Sequence, residues 1–344
     1  MTYQKCCATP ITPVEFKGFV DSLDRGTTTD VRLLLGSAPC GQPVAAPVRI
    51  VKAPADGPTL FTMSGVHGDE PGAVLGMRLF LDGFSGGLDK GTLIACVVAN
   101  VPAIEQRTRC NSFDGKDLVR IWPGKADGTV TETIAAGIAQ VILDCADALV
   151  DLHCGTPELN ENWVIYANEH SPVPGTTPEV EAKSLGIARA FGQEQILRTH
   201  PWKTTVSAFG SLGVPTIVAE VGGGLDWHFG RDQYLAAMAN GLQGVLAHLD
   251  MVSGQPTPPT RQAVFDIVEE HHAAGGLGLW LPLVKAWDEV RAGDRLGVFI
   301  NPTTGGRTYV TTQVEGTVMN PGCSWPVPLP GQWLMAIGQR LPRD

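Results

Sequence analysis

Residues 59–77 read TLFTMSGVHGDEPGAVLGM and hold the signals of a strand, a turn and a helix in immediate succession. Residues 60–64 are short and apolar, which is typical of a buried β-strand, and the run stops at Gly65. Residues 71–81 carry apolar side chains at helical spacing, and Pro71 suits a first helical turn. Because open α/β sheets keep their sites at the carboxyl ends of strands, this turn predicts an α/β fold with a site at this edge.

The turn holds His67 and Glu70, an imidazole and a carboxylate at the start of the predicted helix. Side chains at this spacing point in roughly the same direction, so both can reach one cation. Gly65 and Gly68 are expected to let the backbone pass close to a bound group. The pattern HxxE is weak by itself, because a His and a Glu in a surface loop are more often solvated. A metal site therefore needs a third ligand and a free carboxylate from other strand ends.

Two later segments supply these groups. Residues 146–153 (ADALVDLH) are predicted to form a strand, whose alternation places Asp151 and His153 on one face. An Asp at this position can accept a hydrogen bond from a ligating imidazole and fix its tautomer. Residues 214–220 (VPTIVAE) predict another buried strand, which ends in Glu220. An ionised carboxylate at the end of an apolar strand costs free energy unless it is paired or has a functional role. A structural ion pair is the alternative to a catalytic role for Glu220.

His67, Glu70 and His153 together form a set of two imidazoles and one carboxylate. This ligand count leaves an open position on a tetrahedral zinc ion, as catalytic sites do. Glu220 can then take a proton from a water activated by the metal. The sequence therefore predicts one Zn²⁺ per chain and a hydrolytic reaction.

Composition limits the class of protein. The chain has 344 residues, a formal charge of −10 and 17% charged residues, which favours a large core and argues against nucleic-acid binding. The absence of a bilayer-length apolar run and of a signal-peptide core predicts a cytoplasmic protein without a membrane partner.

The pattern of elements divides the chain in two. Residues 1–255 are predicted as the catalytic domain, with residues 1–45 packed on it as strands that include residues 14–20 (VEFKGFV). After a Pro-rich linker, residues 262–344 are predicted as a small β-rich domain. Between the two candidate ligand segments, residues 107–124 form a long irregular stretch of the kind that is usually functional.

With these motifs, the chain resembles the succinylglutamate desuccinylase and aspartoacylase family of the zinc-carboxypeptidase superfamily. The likeness covers about residues 45–250 and is carried by GVHGDE at 65–70, NVPA at 100–103, TR at 108–109, DLVRIWPG at 117–124, DLH at 151–153 and EVGG at 220–223. The resemblance implies an α/β fold, with a carboxypeptidase-like mixed sheet flanked by helices on both faces. It also implies a small C-terminal all-β, barrel-like domain.

The resemblance also implies roles for individual residues. Zinc is expected on His67, Glu70 and His153, with Glu220 as general base and then general acid. Arg109 is expected to polarise the scissile carbonyl, which suits a permanently charged guanidinium.

A second arginine and its neighbour bear on substrate choice. The resemblance implies that Arg120 grips a substrate carboxylate, although a loop-bracing ion pair with Asp114 or Asp117 is nearly as good an interpretation for Arg109 and Arg120. The family usually has Asn before this arginine, whereas the chain has Val119. An apolar group thus replaces an amide, which is expected to change acyl-amino-acid recognition.

The leading hypothesis is a zinc-dependent amidohydrolase, or deacylase, that cleaves the acyl–nitrogen bond of an N-acyl amino acid or related metabolite. Its partner is a small acylated substrate, and the sequence leaves open a homo-oligomer. A carboxypeptidase-like, peptide-amidase, ester or lactam hydrolase is the alternative within hydrolysis, since the same water can attack all of these carbonyls. A third hypothesis is a non-catalytic metal-binding protein whose β-rich tail is the working surface, motivated by Val119.

Overall fold

The computed structural model describes residues 9–84, 87–156, 159–199, 203–223, 227–274, 278–319 and 326–342. Its helices are α1 (Pro13–Ser22), α2 (Pro71–Gly83), α3 (Val101–Gln106), α4 (Leu118–Ile121), α5 (Val130–Cys145), α6 (Pro178–Phe191), α7 (Thr205–Gly210) and α8 (Trp227–His248). Its strands are β1 (Thr9–Ile11), β2 (Thr27–Ser37), β3 (Pro43–Lys52), β4 (Ala55–Ser64), β5 (Lys90–Cys96), β6 (Ala148–His153), β7 (Asn160–Tyr166), β8 (Gln195–Thr199), β9 (Thr216–Gly223), β10 (Ala263–His272), β11 (Leu279–Pro282), β12 (Glu289–Val290), β13 (Arg295–Ile300), β14 (Arg307–Thr311), β15 (Gly316–Val318) and β16 (Trp333–Arg340).

Thirteen of these strands form one mixed sheet in the order β1-β2-β3-β5-β4-β6-β9-β7-β8-β10-β16-β15-β12. The central strands β5, β4, β6 and β9 run parallel, whereas β2, β3 and β5 pair antiparallel, as do β7 and β9. This large mixed sheet with its helices confirms the α/β class predicted from the sequence. Parallel neighbours bring the carboxyl ends of β4, β6 and β9 to one edge, where the candidate residues lie.

The C-terminal strands continue this sheet. Strand β10 pairs parallel with β8 and antiparallel with β16, while β11, β13 and β14 form a separate three-stranded sheet. The two-domain division and the barrel-like character of the C-terminal residues stay predictions.

Helices cover both faces of the central sheet. Adjacent residues of a strand point to opposite faces, and in β6 Leu149 packs with side chains of α1 and α5, whereas Val150 packs with those of α2, α6 and α8. Asp151 and His153 share the face of Leu149. No helix in the described parts of the chain is both long enough and apolar enough to cross a bilayer.

The prediction of a strand over residues 14–20 is wrong, because these residues belong to α1. The Glu15 carboxylate accepts hydrogen bonds from the backbone N–H (3.2 Å) and the hydroxyl (2.6 Å) of Thr12, which caps the helix start. Phe16 and Val20 are buried one helical turn apart. This local capping and the i, i+4 spacing favour a helix over a strand.

The turn between β4 and α2 has the predicted order of strand, turn and helix, and Glu70 precedes the helix as its N-cap residue. Gly65 has a φ of 65°, a left-handed conformation that glycine adopts without strain. A Cβ atom at Gly68 would lie 1.9 Å from the carbonyl oxygen of Ala103. Gly68 therefore lets the turn pack against α3.

Candidate functional site

Three buried side chains meet at the edge of the sheet. His67 and Glu70 come from the turn after β4, and His153 from the end of the neighbouring β6. The Nδ1 atom of His67 lies 2.7 Å from one oxygen of Glu70, and the Nδ1 atom of His153 lies 2.8 Å from the other. Potential ligand atoms of the three residues all lie within 4.8 Å of one another. This spacing fits a single cation bound between them.

The outward nitrogens of both imidazoles face carboxylates. Nε2 of His67 lies 3.2 Å from Oδ1 of Asp117, and Nε2 of His153 lies 3.0 Å from Oδ2 of Asp151. Imidazoles that ligate metals usually place a carboxylate or carbonyl behind the second nitrogen. The donor set and the residues behind it therefore fit a metal on His67, Glu70 and His153. Sequence reasoning missed the contact of Asp117 with His67, which joins residues 50 positions apart.

A buried chain of hydrogen bonds holds Asp151 in place. The hydroxyl of Thr205, at the start of α7, donates to Oδ2 of Asp151 at 2.6 Å. The indole N–H of Trp122 donates to the same hydroxyl at 3.2 Å. All three side chains are fully buried, so the chain fixes the carboxylate beneath His153.

The cluster is electrostatically coupled. Burial by itself raises the pKa of Glu70, but the neighbouring His67 and His153 imidazoles outweigh it and hold that pKa well below its usual range. Burial by itself lowers the pKa of His153, but the carboxylates of Asp151 and Glu70 raise it well above its ordinary value. Glu70 is therefore held in its ionised form, as a ligand carboxylate must be.

Two more carboxylates share the face of the sheet that carries His153. Glu220 on β9 lies in register with His153 on β6, and its Oε2 atom is buried without a hydrogen-bond partner among the described residues. Burial, followed by the charge of Glu161 on β7, raises the pKa of Glu220 well above its ordinary value. Burial, followed by the charge of Glu70, raises the pKa of Glu161 to about 7. Sequence reasoning missed Glu161, whose signal is its alternation with the apolar residues of β7.

Both candidate arginines lie beside the cluster. Nη1 of Arg109 donates to Oε1 of Glu70 at 3.2 Å, and its Nε lies 3.4 Å from Oδ2 of Asp117. Nη1 of Arg120 donates to the carbonyl of Lys203 at 2.7 Å, and its Nε lies 4.0 Å from the same oxygen of Asp117. Asp117 thus braces both guanidinium groups, as the ion-pair interpretation expects, while each still faces the cavity.

A cavity of about 550 Å³ contains the cluster. Its lining includes His67, Glu70, Arg109, Val119, Arg120, His153, Thr156, Leu159, Glu161, Trp163, Ile165, Thr204, Val218, Glu220, Ile267, Glu270, His272, Gly331, Gln332 and Trp333. The structure thus brings every candidate site residue to one cavity except Asp151, which lies behind His153. The β10 and β16 strands close one side, and no local motif marks their contribution.

Residues 56–249 match the Succinylglutamate desuccinylase/Aspartoacylase catalytic domain. The chain belongs to this family of deacylases. The resemblance found in its motifs is thereby confirmed.

Named relatives agree with this assignment. The N-alpha-acetyl-L-2,4-diaminobutyric acid deacetylase of Halomonas elongata is 28% identical over 228 residues, which cover 64% of this chain and 63% of that enzyme, less than two thirds of its length. The crystal structure of succinylglutamatedesuccinylase/aspartoacylase from Rhodobacter sphaeroides has a TM-score of 0.77 and 23% identity, covering 94% of this chain and 98% of that one. The product-bound ectoine utilization protein EutE (DoeB) from Ruegeria pomeroyi has a TM-score of 0.76 and 21% identity, covering 92% and 97%. At these identities the two structures show a shared fold.

Proposed function

We propose that the chain is a zinc-dependent amidohydrolase that removes the acyl group from an N-acyl amino acid or a related small metabolite. The observation that carries this proposal is the convergence of His67, Glu70 and His153 in a cavity beside Glu220, whose Oε2 atom has no hydrogen-bond partner among the described residues. The relationship to a curated deacetylase supports the acyl–nitrogen bond as the target. The cavity volume and its closure by β10 and β16 favour a small substrate over a polypeptide.

Zinc is the metal that best suits two imidazole nitrogens and one carboxylate with a free fourth position. When bound, zinc supplies Lewis-acid polarisation of a carbonyl oxygen and lowers the pKa of a coordinated water. Asp117 and Asp151 face the outward nitrogens of the two imidazoles, which leaves Nδ1 of each ring to bind the cation.

Three side chains of the cavity wall supply proton transfer, oxyanion stabilisation and substrate binding. Glu220 accepts a proton from the attacking water and then delivers it to the leaving nitrogen, which its raised pKa suits. Burial disfavours the charged form of Arg109, but Glu70 and Asp117 raise its pKa, so it remains a cation that can stabilise a developing oxyanion. Arg120, half exposed beside Val119, is placed to bind a substrate carboxylate.

Metal removal and replacement test this proposal. The purified protein should contain about one zinc per chain, lose hydrolysis of N-acyl amino acids on chelation, and regain it when zinc is restored. The substrate panel should span acetyl, succinyl and longer acyl groups. A panel without turnover by the zinc-loaded protein would contradict the proposal.

Glu220→Gln separates catalysis from metal binding. The variant should retain zinc and lose two to four orders of magnitude in kcat, the usual effect of removing a general base. Glu315→Gln is the matched control, because Glu315 is an exposed carboxylate remote from the cavity lining. Equal hydrolysis by the two variants would show that Glu220 is not the general base, whereas an unchanged cellular phenotype of Glu220→Gln would favour a non-catalytic metal-binding protein. Faster release of C-terminal residues from peptides, or faster cleavage of esters or lactams, would move the assignment to those hydrolases.

A further inference from the structure

The cavity contains a carboxylate that the hydrolytic step does not use. Glu161 lies on β7 in alternation with Trp163 and Ile165, and all three line the cavity. Across the β7–β9 pair, Trp163 is in register with Glu220, and Glu161 with Gly222, so Glu161 lies one pair further along the same face. No side chain among the described residues donates a hydrogen bond to Glu161 or forms an ion pair with it. Glu161 is only partly exposed, and a carboxylate that faces a cavity without a paired cation favours a ligand that supplies one.

Glu161 adjoins an aromatic wall. The Trp163 and Trp333 rings meet edge to face with centroids 5.2 Å apart, and both line the cavity. Glu270 of β10 completes this side, with Nε2 of His272 3.7 Å from its carboxylate. Carboxylates set among indole rings are the surroundings that favour an alkylammonium ion, through charge pairing and cation–π attraction.

The cationic side chains that line the cavity do not pair with Glu161. Four carboxylates line the cavity against two guanidinium groups. Arg109 already bonds to Glu70, and Arg120 to the carbonyl of Lys203. Both guanidinium groups thus contact residues other than Glu161. A cation supplied by the substrate would offset the charge of Glu161.

We propose that Glu161, with the Trp163 and Trp333 wall, binds a positively charged group of the substrate, so that the enzyme selects N-acyl compounds carrying a second, free amine. The reaction itself rests on the proposed function, whereas the cation site rests on the cavity wall. The competing role for Glu161 is a shared proton with Glu220, which would affect all substrates alike.

Matched substrates test charge selection. Nα-acetyl-L-ornithine and Nα-acetyl-L-norleucine have side chains of equal length that end in an ammonium and a methyl group. The zinc-loaded wild type should favour the ornithine compound 10- to 100-fold in kcat/KM, the range expected for a charge-assisted hydrogen bond. Glu161→Gln should abolish this preference, and the readout is the ratio of the two kcat/KM values, because the charge of Glu161 also acts on Glu220 for both substrates. Glu161→Asp should restore part of the preference, and Glu315→Gln should leave it intact.

Binding without turnover separates the two proposals. Titration calorimetry should show tighter binding of L-ornithine than of L-norleucine to wild type, with the difference lost in Glu161→Gln. If no substrate is hydrolysed but this difference is found, the cation site stands and the proposed function falls. If both substrates are hydrolysed equally well, or if Glu161→Gln lowers both equally and shifts the pH profile, the cation site is overturned. Should Glu161→Gln fail to fold, equal affinity of the wild type for the two amino acids overturns it.

Discussion

Thr205→Val tests whether the buried hydrogen-bond chain beneath His153 supports both the fold and the metal site. The substitution keeps the shape of the side chain and removes the hydroxyl that links Trp122 to Asp151. Hydrogen bonds to charged groups contribute about 1.5–3 kcal/mol, and an unpaired buried N–H costs about 1–3 kcal/mol. We therefore expect the free energy of unfolding to fall by about 3–5 kcal/mol.

The same change should weaken zinc binding, because Asp151 loses the donor that holds it against Nε2 of His153. Loss of support behind a ligand typically costs about 10- to 100-fold in metal affinity. Urea unfolding followed by circular dichroism, on protein with and without zinc, measures the first effect. Competition with a chromogenic chelator measures the second.

Thr62→Val is the matched control. Thr62 is fully buried in β4, and its hydroxyl has no hydrogen-bond partner among the described residues. Removing an unsatisfied buried hydroxyl is expected to be neutral or stabilising. If Thr205→Val matches Thr62→Val in both stability and zinc affinity, the hydrogen-bond chain does not support the site and the reasoning is refuted.

Three further changes probe other parts of the molecule. Val119→Asn should raise kcat/KM for acetyl- or succinyl-amino acids and lower it for the native substrate, each about tenfold, or roughly 1.4 kcal/mol; an unchanged ranking of substrates would mean that the side chain at 119 does not contact them. Gly68→Ala should destabilise the fold by about 1–3 kcal/mol and weaken zinc binding, because the new Cβ meets the Ala103 carbonyl and the turn must shift. A variant that matches the wild type in urea unfolding and in chelator competition would contradict this prediction. The Lys116 ammonium, 2.8 Å from the Glu132 carboxylate, lowers the pKa of Glu132 from 4.5 to about 2 through a hydrogen bond. The stability this pair contributes is therefore present above pH 4.5 and lost as the pH falls through about 2, so the Tm difference between wild type and Glu132→Gln should shrink over that interval; a difference independent of pH would contradict this.

The sequence alone was sufficient to predict the candidate site residues that stand near the ends of apolar strands. Near the carboxyl ends of β4, β6 and β9, apolar runs stop at the polar residues Ser64, His153 and Glu220. Parallel strands bring such ends to one edge of a sheet, so local patterns predicted the candidate metal ligands and their neighbouring carboxylate as a set. Residues 14–20 were predicted wrongly, because their apolar positions fit two periods and the capping contact between Thr12 and Glu15 decides between them.

Only the tertiary structure showed which residues surround the candidate metal ligands and Glu220. Asp117 behind His67 and Thr205 behind Asp151 lie 50 and 54 positions from their partners, and no local period records such pairs. Glu161 and Trp333 reach the cavity through the pairing of β7 with β9 and of β10 with β16. Strand order and register determine which distant side chains meet on one face, and these depend on the packing of the whole sheet. Short motifs of the sequence thus specify the candidate reacting groups, whereas the register of the assembled sheet specifies which residues form the cavity wall around them.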